Sequence, residues 1–117
     1  MAQDPFNLQM TLELMDHDHE LFVELSKIFL SDLPSMLEVI RKAVEHNDPA
    51  GLAKIAHKFK GGLSAFSTGK AYEAVVALEG VGRGGYLADD RAAQLVAELE
   101  WHVETLVDEL TAAVKSL

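Results

Sequence analysis

His57 is the residue whose placement most clearly suggests chemistry. It lies on a segment whose apolar residues share one arc of a helix, roughly 80° wide at about 100° of rotation per residue. That arc contains Leu52, Ile55, Ala56, Phe59, Leu63 and Phe66. His57 lies about 140° from the centre of the arc, so its side chain is expected to face solvent rather than to fill the core.

The residues expected around His57 on the helix surface are small or cationic. They are Ala53, Lys54, Lys60, Gly61 and Ser64. With neither bulk nor carboxylates beside it, the imidazole is presented as a nucleophile would be presented to another macromolecule. We therefore expect a partner to contact this face, and the candidate partner-binding residues are Ala53, Lys54, Lys58 and Ser64.

A histidine acts in catalysis as a general base, a metal ligand or a nucleophile, and each role needs different neighbours. A general base needs a hydroxyl within hydrogen-bond reach, and Ser64 is about 10 Å away along the helix. A metal site needs carboxylates or histidines at spacings of three or four, and His57 has none there. The residues favour a nucleophile that attacks an anionic group, and we expect no metal site and no cofactor.

A phosphoryl group fits the surroundings of His57. Neutral imidazole attacks phosphorus, and Lys60, one turn along, is placed to offset the new negative charge. Gly61 leaves the imidazole unobstructed. The pattern also places Gly61 and Gly62 in mid-helix, where each glycine costs about 0.5 to 1 kcal/mol relative to alanine. A conflict of this kind is typical of a functional site.

The run His-Lys-Phe-Lys-Gly at 57–61 resembles the H-x-x-K-G motif of histidine-containing phosphotransfer (HPt) domains. These are four-helix modules that relay phosphoryl groups in multistep two-component signalling. Residues 29–34 resemble the end of the family's first long helix, and residues 47–57 resemble its approach to the phosphorylated histidine. The likeness extends over about the last hundred residues.

The resemblance implies a phosphoryl carrier that is not itself an enzyme. His57 would carry the phosphoryl group on Nε2, Lys60 would lie beside it, and Gly61 would allow a receiver domain to approach. The implied partners are response-regulator receiver domains, hybrid sensor histidine kinases or both, and they would supply the catalysis. Gly62 and Ala65 depart from the family's usual residues, and these departures concern the docking surface rather than the chemistry.

Composition and charge exclude several classes of function. The 117-residue chain has a net charge of −9, which argues against nucleic acid or an anionic membrane as the main partner. The charge is uneven, because no acidic residue lies between Asp48 and Glu73 whereas four lysines do. The chain has no cysteine, no signal-like start and no apolar run long enough to span a bilayer. The default expectation is therefore a cytoplasmic protein.

Helical periodicity predicts an all-α fold, an up-down-up-down antiparallel four-helix bundle with a short N-terminal helix or arm. One domain is expected over residues 1–117, with the arm at 1–16 and the bundle at 17–117. Asp16, His17 and Asp18 offer capping groups for a long helix, and Pro34 indicates either a kink or a restart within it.

The helix that bears His57 is predicted to begin at Asp48 and Pro49 and to end near residues 67–69. A shorter helix follows. Four glycines are then predicted to turn the chain into a last helix with a clean apolar stripe. They are Gly80, Gly82, Gly84 and Gly85. On that last helix Trp101 points away from the stripe, either to cover the N-terminal arm or to contact a partner.

Two other functions remain open at this point. One is a docking or scaffold bundle that does not transfer phosphate, and the other is a bundle that binds metal. The exposed His57 and Lys60 favour phosphotransfer over the scaffold. The chain lacks paired inward Glu-x-x-His motifs, which argues against a metal-binding core. The histidine-containing acidic segment at 16–20 is better explained as a helix start than as a metal cluster.

Overall fold

The computed structural model describes residues 6–66, 69–85 and 90–117, and every regular element in these ranges is a helix. This agrees with the all-α prediction. The elements are α1 (Leu8–Leu14), α2 (His19–Glu45), α3 (Pro49–Leu63), α4 (Lys70–Gly84) and α5 (Arg91–Ser116). Of the two structures expected for the N-terminal segment, the short helix is the one that forms.

Side-chain caps begin the two helices for which the sequence predicts them. The carboxylate of Asp18 accepts a hydrogen bond from the amide of Leu21 at 3.0 Å, and α2 follows. Asp48 accepts from the amide of Gly51 at 2.9 Å. Pro49 occupies the first turn of α3, where its missing N–H removes no helix hydrogen bond. The start of α3 is therefore determined by local interactions. The angular position of His57 around the helix axis, relative to that start, follows from it.

Helix α2 is continuous through Pro34, so the predicted restart does not occur. The apolar stripe on either side of Pro34 explains the continuity, because Phe29, Leu33, Met36 and Ile40 are all buried against the same core. The burial of these side chains outweighs the loss of one backbone hydrogen bond.

Two predicted boundaries are wrong. Helix α3 ends at Leu63 rather than near residues 67–69, and of these positions 67 and 68 lie outside the described residues. Gly61 and Gly62 therefore lie in the last turn of α3, not in mid-helix. Helix α4 continues to Gly84, and the chain leaves it at Gly85, whose φ of 75° suits glycine. The penalty for a helical glycine is small enough for packing to override it.

The four long helices pack in a closed ring. Contacts join α2 to α3, α3 to α4, α4 to α5 and α5 back to α2, and the α3–α4 contact is the most extensive. Phenylalanine rings fill the core between α2 and α3, where Phe29 lies 6.3 Å from Phe59 and 5.2 Å from Phe66 between ring centroids. Between α2 and α5, Nε of Arg41 donates to Glu100 at 2.6 Å.

Gly82 explains why α3 and α4 lie so close together. A Cβ atom on Gly82 would lie 2.6 Å from the backbone nitrogen of Ala53 and 2.8 Å from the carbonyl oxygen of Pro49. Real Cβ atoms do not approach backbone so closely, so this contact requires glycine. None of the helices in the described ranges combines the length and apolarity that a membrane crossing requires.

Candidate functional site

His57 lies on the solvent side of α3, as the helical pattern predicts. Its side chain is 65% exposed. The opposite face of α3 is buried and carries Leu52, Ala56, Phe59 and Leu63. Burial of that face holds the helix in one rotation about its axis, and the imidazole is presented to solvent as a consequence.

The residue that organises the site is Glu79 of α4. Its side chain is only 6% exposed, and its Oε2 atom lies 3.0 Å from Nδ1 of His57. The residues around His57 on its own helix predict an imidazole with no carboxylate beside it, and that prediction is wrong. Neighbours on one helix can be read from spacing, whereas Glu79 reaches His57 from a different helix.

A signal for Glu79 was nevertheless present in the sequence. Glu79 falls beside Leu78 on the buried stripe of α4, which also includes Val75 and Gly82. A glutamate on an otherwise apolar stripe is a buried charge, and buried charges are paired in folded proteins. That reasoning would have predicted a cationic or hydrogen-bonding partner for Glu79 on the neighbouring helix.

Two cations complete the cluster around Glu79. Nζ of Lys60 lies 2.7 Å from Oε1, and Nη2 of Arg83 lies 2.7 Å from Oε2. Hydrogen bonds from Lys60 and then from Arg83 lower the pKa of Glu79 from its ordinary 4.5 to about 2, against the opposing effect of burial. Glu79 is therefore ionised at neutral pH. With a neutral imidazole, this group of one carboxylate and two cations carries a net positive charge.

The contact with Glu79 determines which nitrogen of His57 carries the proton in a neutral ring. An ionised carboxylate only accepts hydrogen bonds, so Nδ1 of His57 carries the proton and donates it to Glu79. In a neutral ring the other nitrogen, Nε2, then holds an unprotonated lone pair. The contact therefore leaves Nε2 as the unprotonated nitrogen of the neutral ring.

The other residues predicted for the site take different positions. Ala53 is half-buried, and its backbone packs against Gly82, so it belongs to the α3–α4 contact. Lys54 and Lys58 are exposed. Ser64 caps the end of α3 and donates from Oγ to the carbonyl of Gly61 at 2.9 Å.

Gly61 faces open space one turn beyond His57. A Cβ atom on Gly61 would meet no atom within 4 Å in the described part of the chain, and one on Gly62 would make only an ordinary contact with Phe29. Packing within the chain therefore does not require glycine at either position. A requirement for glycine at these positions would have to come from a partner.

An apolar groove of about 260 Å³ begins beside Gly61, between α2 and the end of α3. Ile28 and Phe29 line it from α2, and Lys58 and Gly61 line it from α3. Ile28 is more than half exposed, although it is apolar. The groove thus places an uncovered hydrophobic surface one helical turn from the imidazole.

A metal site needs several ligating side chains close together. In the described ranges no three His, Cys, Asp or Glu side chains stand where they could hold a metal ion together, and this includes the segment at 16–20. Trp101 is exposed, and its contact with a partner stays a prediction.

Comparisons with known proteins agree with this arrangement. The model of the Hpt domain family matches residues 24–115. The fold is similar to that of histidine-containing phosphotransfer protein B (HptB) from Pseudomonas aeruginosa, with 21% sequence identity, a TM-score of 0.87 and 99% of each chain covered. It is also similar to the HPT domain of the Hpt sensor hybrid histidine kinase from Shewanella, with 20% identity, a TM-score of 0.81, and 96% of this chain and 95% of that one covered.

The sequence has no match among curated proteins. The family match nevertheless covers most of the chain, including α3, α4 and the cluster around His57. The two structural neighbours share its fold over nearly their whole length. The chain therefore belongs to the Hpt domain family and is a phosphotransfer carrier of phosphorelays.

Proposed function

We propose that His57 is the residue that accepts and donates the phosphoryl group, through Nε2. The hydrogen bond from Nδ1 to the buried Glu79 carries this proposal. It holds the proton on Nδ1 and leaves the Nε2 lone pair available at the exposed edge of the ring. Glu79 is then a positioning residue, because it acts through the imidazole.

The acceptance step begins with attack of the Nε2 lone pair on the phosphorus of a receiver's aspartyl phosphate. The N–P bond forms as the P–O bond to the aspartate breaks, and the aspartate leaves as a carboxylate. The Nδ1 proton stays on the ring, where Glu79 stabilises the positive charge that the ring acquires. In donation an aspartate oxygen attacks the phosphorus, and neutral imidazole leaves.

The positive charge of the cluster favours this chemistry. A phosphoryl group brings about two negative charges to His57. Lys60 and Arg83 outnumber the single carboxylate of Glu79, so their field offsets part of that charge. Lys60 supplies this compensation without forming the bond itself. The chain thus acts as a carrier, and its partners supply the catalysis.

Receiver domains, free or attached to a hybrid sensor kinase, are the proposed partners. The groove beside Gly61 offers them an apolar surface, and the lysines around His57 offer charge that suits an acidic receiver site. Lys54, Lys58 and Ser64 are proposed to contact the partner at the edges of this surface. Ala53 contributes through the α3–α4 contact instead.

The scaffold that presents His57 is proposed to be a single domain whose four long helices run up-down-up-down. Short connections between helices that pack in sequential order favour this direction of the chain. The proposed partners are receiver domains of two-component signalling, which favours action in the cytoplasm.

The test is phosphorylation of the chain and of its His57→Gln variant, with phosphoramidate and with a phosphorylated receiver domain as donors. We expect the parent to gain an acid-labile, alkali-stable phosphoryl group and His57→Gln to gain none. His46→Gln, at the exposed C-cap of α2, is the control and should accept as the parent does. Because His57 is exposed, His57→Gln should change the free energy of unfolding by less than about 1 kcal/mol.

Two results would contradict the proposal. Phosphorylation of a folded His57→Gln variant would assign the acceptor role to another residue. A parent that binds receiver domains yet accepts from neither donor would support the docking scaffold.

A further inference from the structure

The two carboxylate oxygens of Glu79 have different partners. Oε1 accepts from Nζ of Lys60 at 2.7 Å, and among the described residues it has no second hydrogen-bond or ion-pair partner. Oε2 accepts both from Nδ1 of His57 at 3.0 Å and from Nη2 of Arg83 at 2.7 Å. Loss of Lys60 would leave Oε1 unpartnered, whereas loss of Arg83 would leave Oε2 bonded to the imidazole.

Lys60 and Arg83 also differ in how far their side chains are exposed to solvent. The side chain of Lys60 is 28% exposed, and that of Arg83 is 68% exposed. An unpaired oxygen on a buried carboxylate is unfavourable, so Lys60 is held on Glu79. Arg83 is held only at an exposed edge, where an ion pair contributes little to stability. Of the two cations, Arg83 is therefore the one that can move to a new anion at low cost.

We propose that Arg83 directly contacts the phosphoryl group carried by His57, while Lys60 stays on Glu79 in both states. This inference rests on the proposed role of His57 as the phosphoryl acceptor. Nη2 of Arg83 and Nδ1 of His57 bond the same oxygen of Glu79, so the guanidinium lies near the Nδ1 edge of the imidazole, and its exposed side chain can turn toward a group on Nε2. Its planar array of N–H donors matches two oxygens of a phosphoryl group, which a lysine ammonium does not.

The H-x-x-K-G motif contains only one cation, Lys60. We assign two separate functions to Lys60 and Arg83. Lys60 keeps Glu79 ionised and in place, and Glu79 keeps Nε2 of His57 unprotonated. Arg83 then bonds the incoming oxygens as negative charge arrives. The two roles predict different measurable consequences, because one acts on the folded cluster and the other on the phosphorylated state.

The first experiment uses the unaltered chain. Side-chain ¹H–¹⁵N spectra are recorded before and after phosphorylation with phosphoramidate, and Arg83→Lys identifies the Arg83 Nε–H resonance. We expect that resonance to shift on phosphorylation, while the Nζ resonance of Lys60 keeps its Glu79-bonded position. An unmoved Arg83 resonance in phosphorylated protein would overturn the proposal.

The second experiment compares variants in their rate of phosphorylation by phosphoramidate and in their thermal unfolding. We expect Arg83→Gln to slow phosphorylation about three- to tenfold, with little change in the unfolding midpoint. Arg83→Lys should restore part of the rate. Lys60→Gln should instead lower the unfolding midpoint, because it leaves Oε1 of Glu79 unpartnered. Lys70→Gln, which removes an exposed charge at the start of α4, should change neither quantity.

The outcomes separate this inference from the proposed function. If His57 in the parent accepts no phosphoryl group, both are wrong. If His57 is phosphorylated but Arg83→Gln reacts at the parent rate, only the role of Arg83 is wrong. A loss of rate in Lys70→Gln equal to that in Arg83→Gln would show a general effect of charge, and it would also overturn a direct contact.

Discussion

Among single residues, Glu79 has the greatest influence on the site. It is a buried carboxylate that bonds a histidine, a lysine and an arginine at once. It holds the proton of His57 on Nδ1, and its ion pairs keep Lys60 and Arg83 near the nitrogen proposed to carry the phosphoryl group. A carboxylate in this place also connects the chemistry to the stability of the fold, because its charge is favourable only while those partners are present.

Glu79→Gln should lower the free energy of unfolding at neutral pH, and it should also make that free energy less dependent on pH. The pKa of Glu79 is about 2 in the folded chain and lies near 4.5 when unperturbed. Because the folded value is lower, the stabilisation is complete above about pH 4.5 to 5 and is lost as the pH falls toward 2. We expect Glu79→Gln to cost about 1 to 3 kcal/mol at pH 7, a range that allows for the exposure of His57 and Arg83.

Denaturant unfolding of the parent and of Glu79→Gln at a series of pH values measures this effect. The difference between the two proteins should shrink as the pH falls below about 4.5, because Glu79 of the unfolded parent is then protonated while Glu79 of the folded parent stays ionised until the pH nears 2. A difference that stays constant from pH 7 to pH 2.5 would show that the ionisation of Glu79 does not stabilise the fold.

At the scale of elements, the close approach of α3 and α4 is what brings Glu79 to His57. The two side chains come from different helices, and Gly82 lies one turn from Glu79 at the point of contact. The absence of a Cβ on Gly82 lets the backbones of the two helices meet. Glycine at this position is unfavourable for helix propensity, but it permits the close helix contact on which the geometry of the site depends.

Gly82→Ala should push the two helices apart. The added Cβ would overlap the backbone at Ala53 and Pro49, which cannot rotate away as a side chain would. We expect a net loss of about 1 to 3 kcal/mol from overpacking, in spite of the better helix propensity of alanine. The variant should also accept phosphate more slowly, because Glu79 moves with α4.

Gly80→Ala is the matched control for that change. A Cβ on Gly80 would meet nothing within 4 Å in the described ranges, and Gly80 lies on the same helix. It should therefore stabilise the chain by roughly 0.5 to 1 kcal/mol. Thermal unfolding of both variants gives the comparison. Equal stabilisation by the two substitutions would show that α3 and α4 do not require the close contact at Gly82.

On the scale of the whole molecule, the chain combines a strongly acidic surface with one positively charged region. Its net charge is −9, yet no acidic residue lies between Asp48 and Glu73. The apolar groove beside Gly61 opens next to that region. A partner with an acidic active site is thus attracted to the side that carries His57 and repelled elsewhere, which favours one orientation of docking.

Gly61→Glu should block docking without disturbing the phosphate chemistry of His57. The position has open space around it, and glutamate is the better helix former, so the variant should be at least as heat-stable as the parent. Phosphoramidate should still phosphorylate it. Exchange with a phosphorylated receiver domain should fail, because the glutamate adds bulk and like charge at the proposed interface.

Ala97→Glu provides the control, since it adds the same charge on the exposed surface of α5. It should exchange phosphate with the receiver at close to the parent rate. Normal exchange by Gly61→Glu would show that the partner does not approach over Gly61, and the groove would then lose its proposed role.

The sequence alone determined the helices and the exposure of His57. Both follow from local interactions, because caps such as Asp18 and Asp48 act within one turn and an apolar stripe faces the core wherever a helix packs. The helical type of the four long elements, the starts of α2 and α3, and the solvent-facing position of His57 are therefore predictable from sequence, whereas the N-terminal segment is left open between a helix and an arm. The motif at 57–61 also indicated the family that the comparisons confirm.

Only the tertiary structure decided what surrounds the imidazole. The distance from Glu79 to His57 depends on the rotation and spacing of α4 against α3, and no local rule specifies either of these. The prediction of a turn at Gly80, Gly82 and Gly84 is wrong for the same reason. In a sequence, glycine is equally typical of a turn and of a close contact between helices. The burial of Glu79 and its ion pairs with Lys60 and Arg83 depend on the packing of α4 against α3, so they form only when the chain is folded.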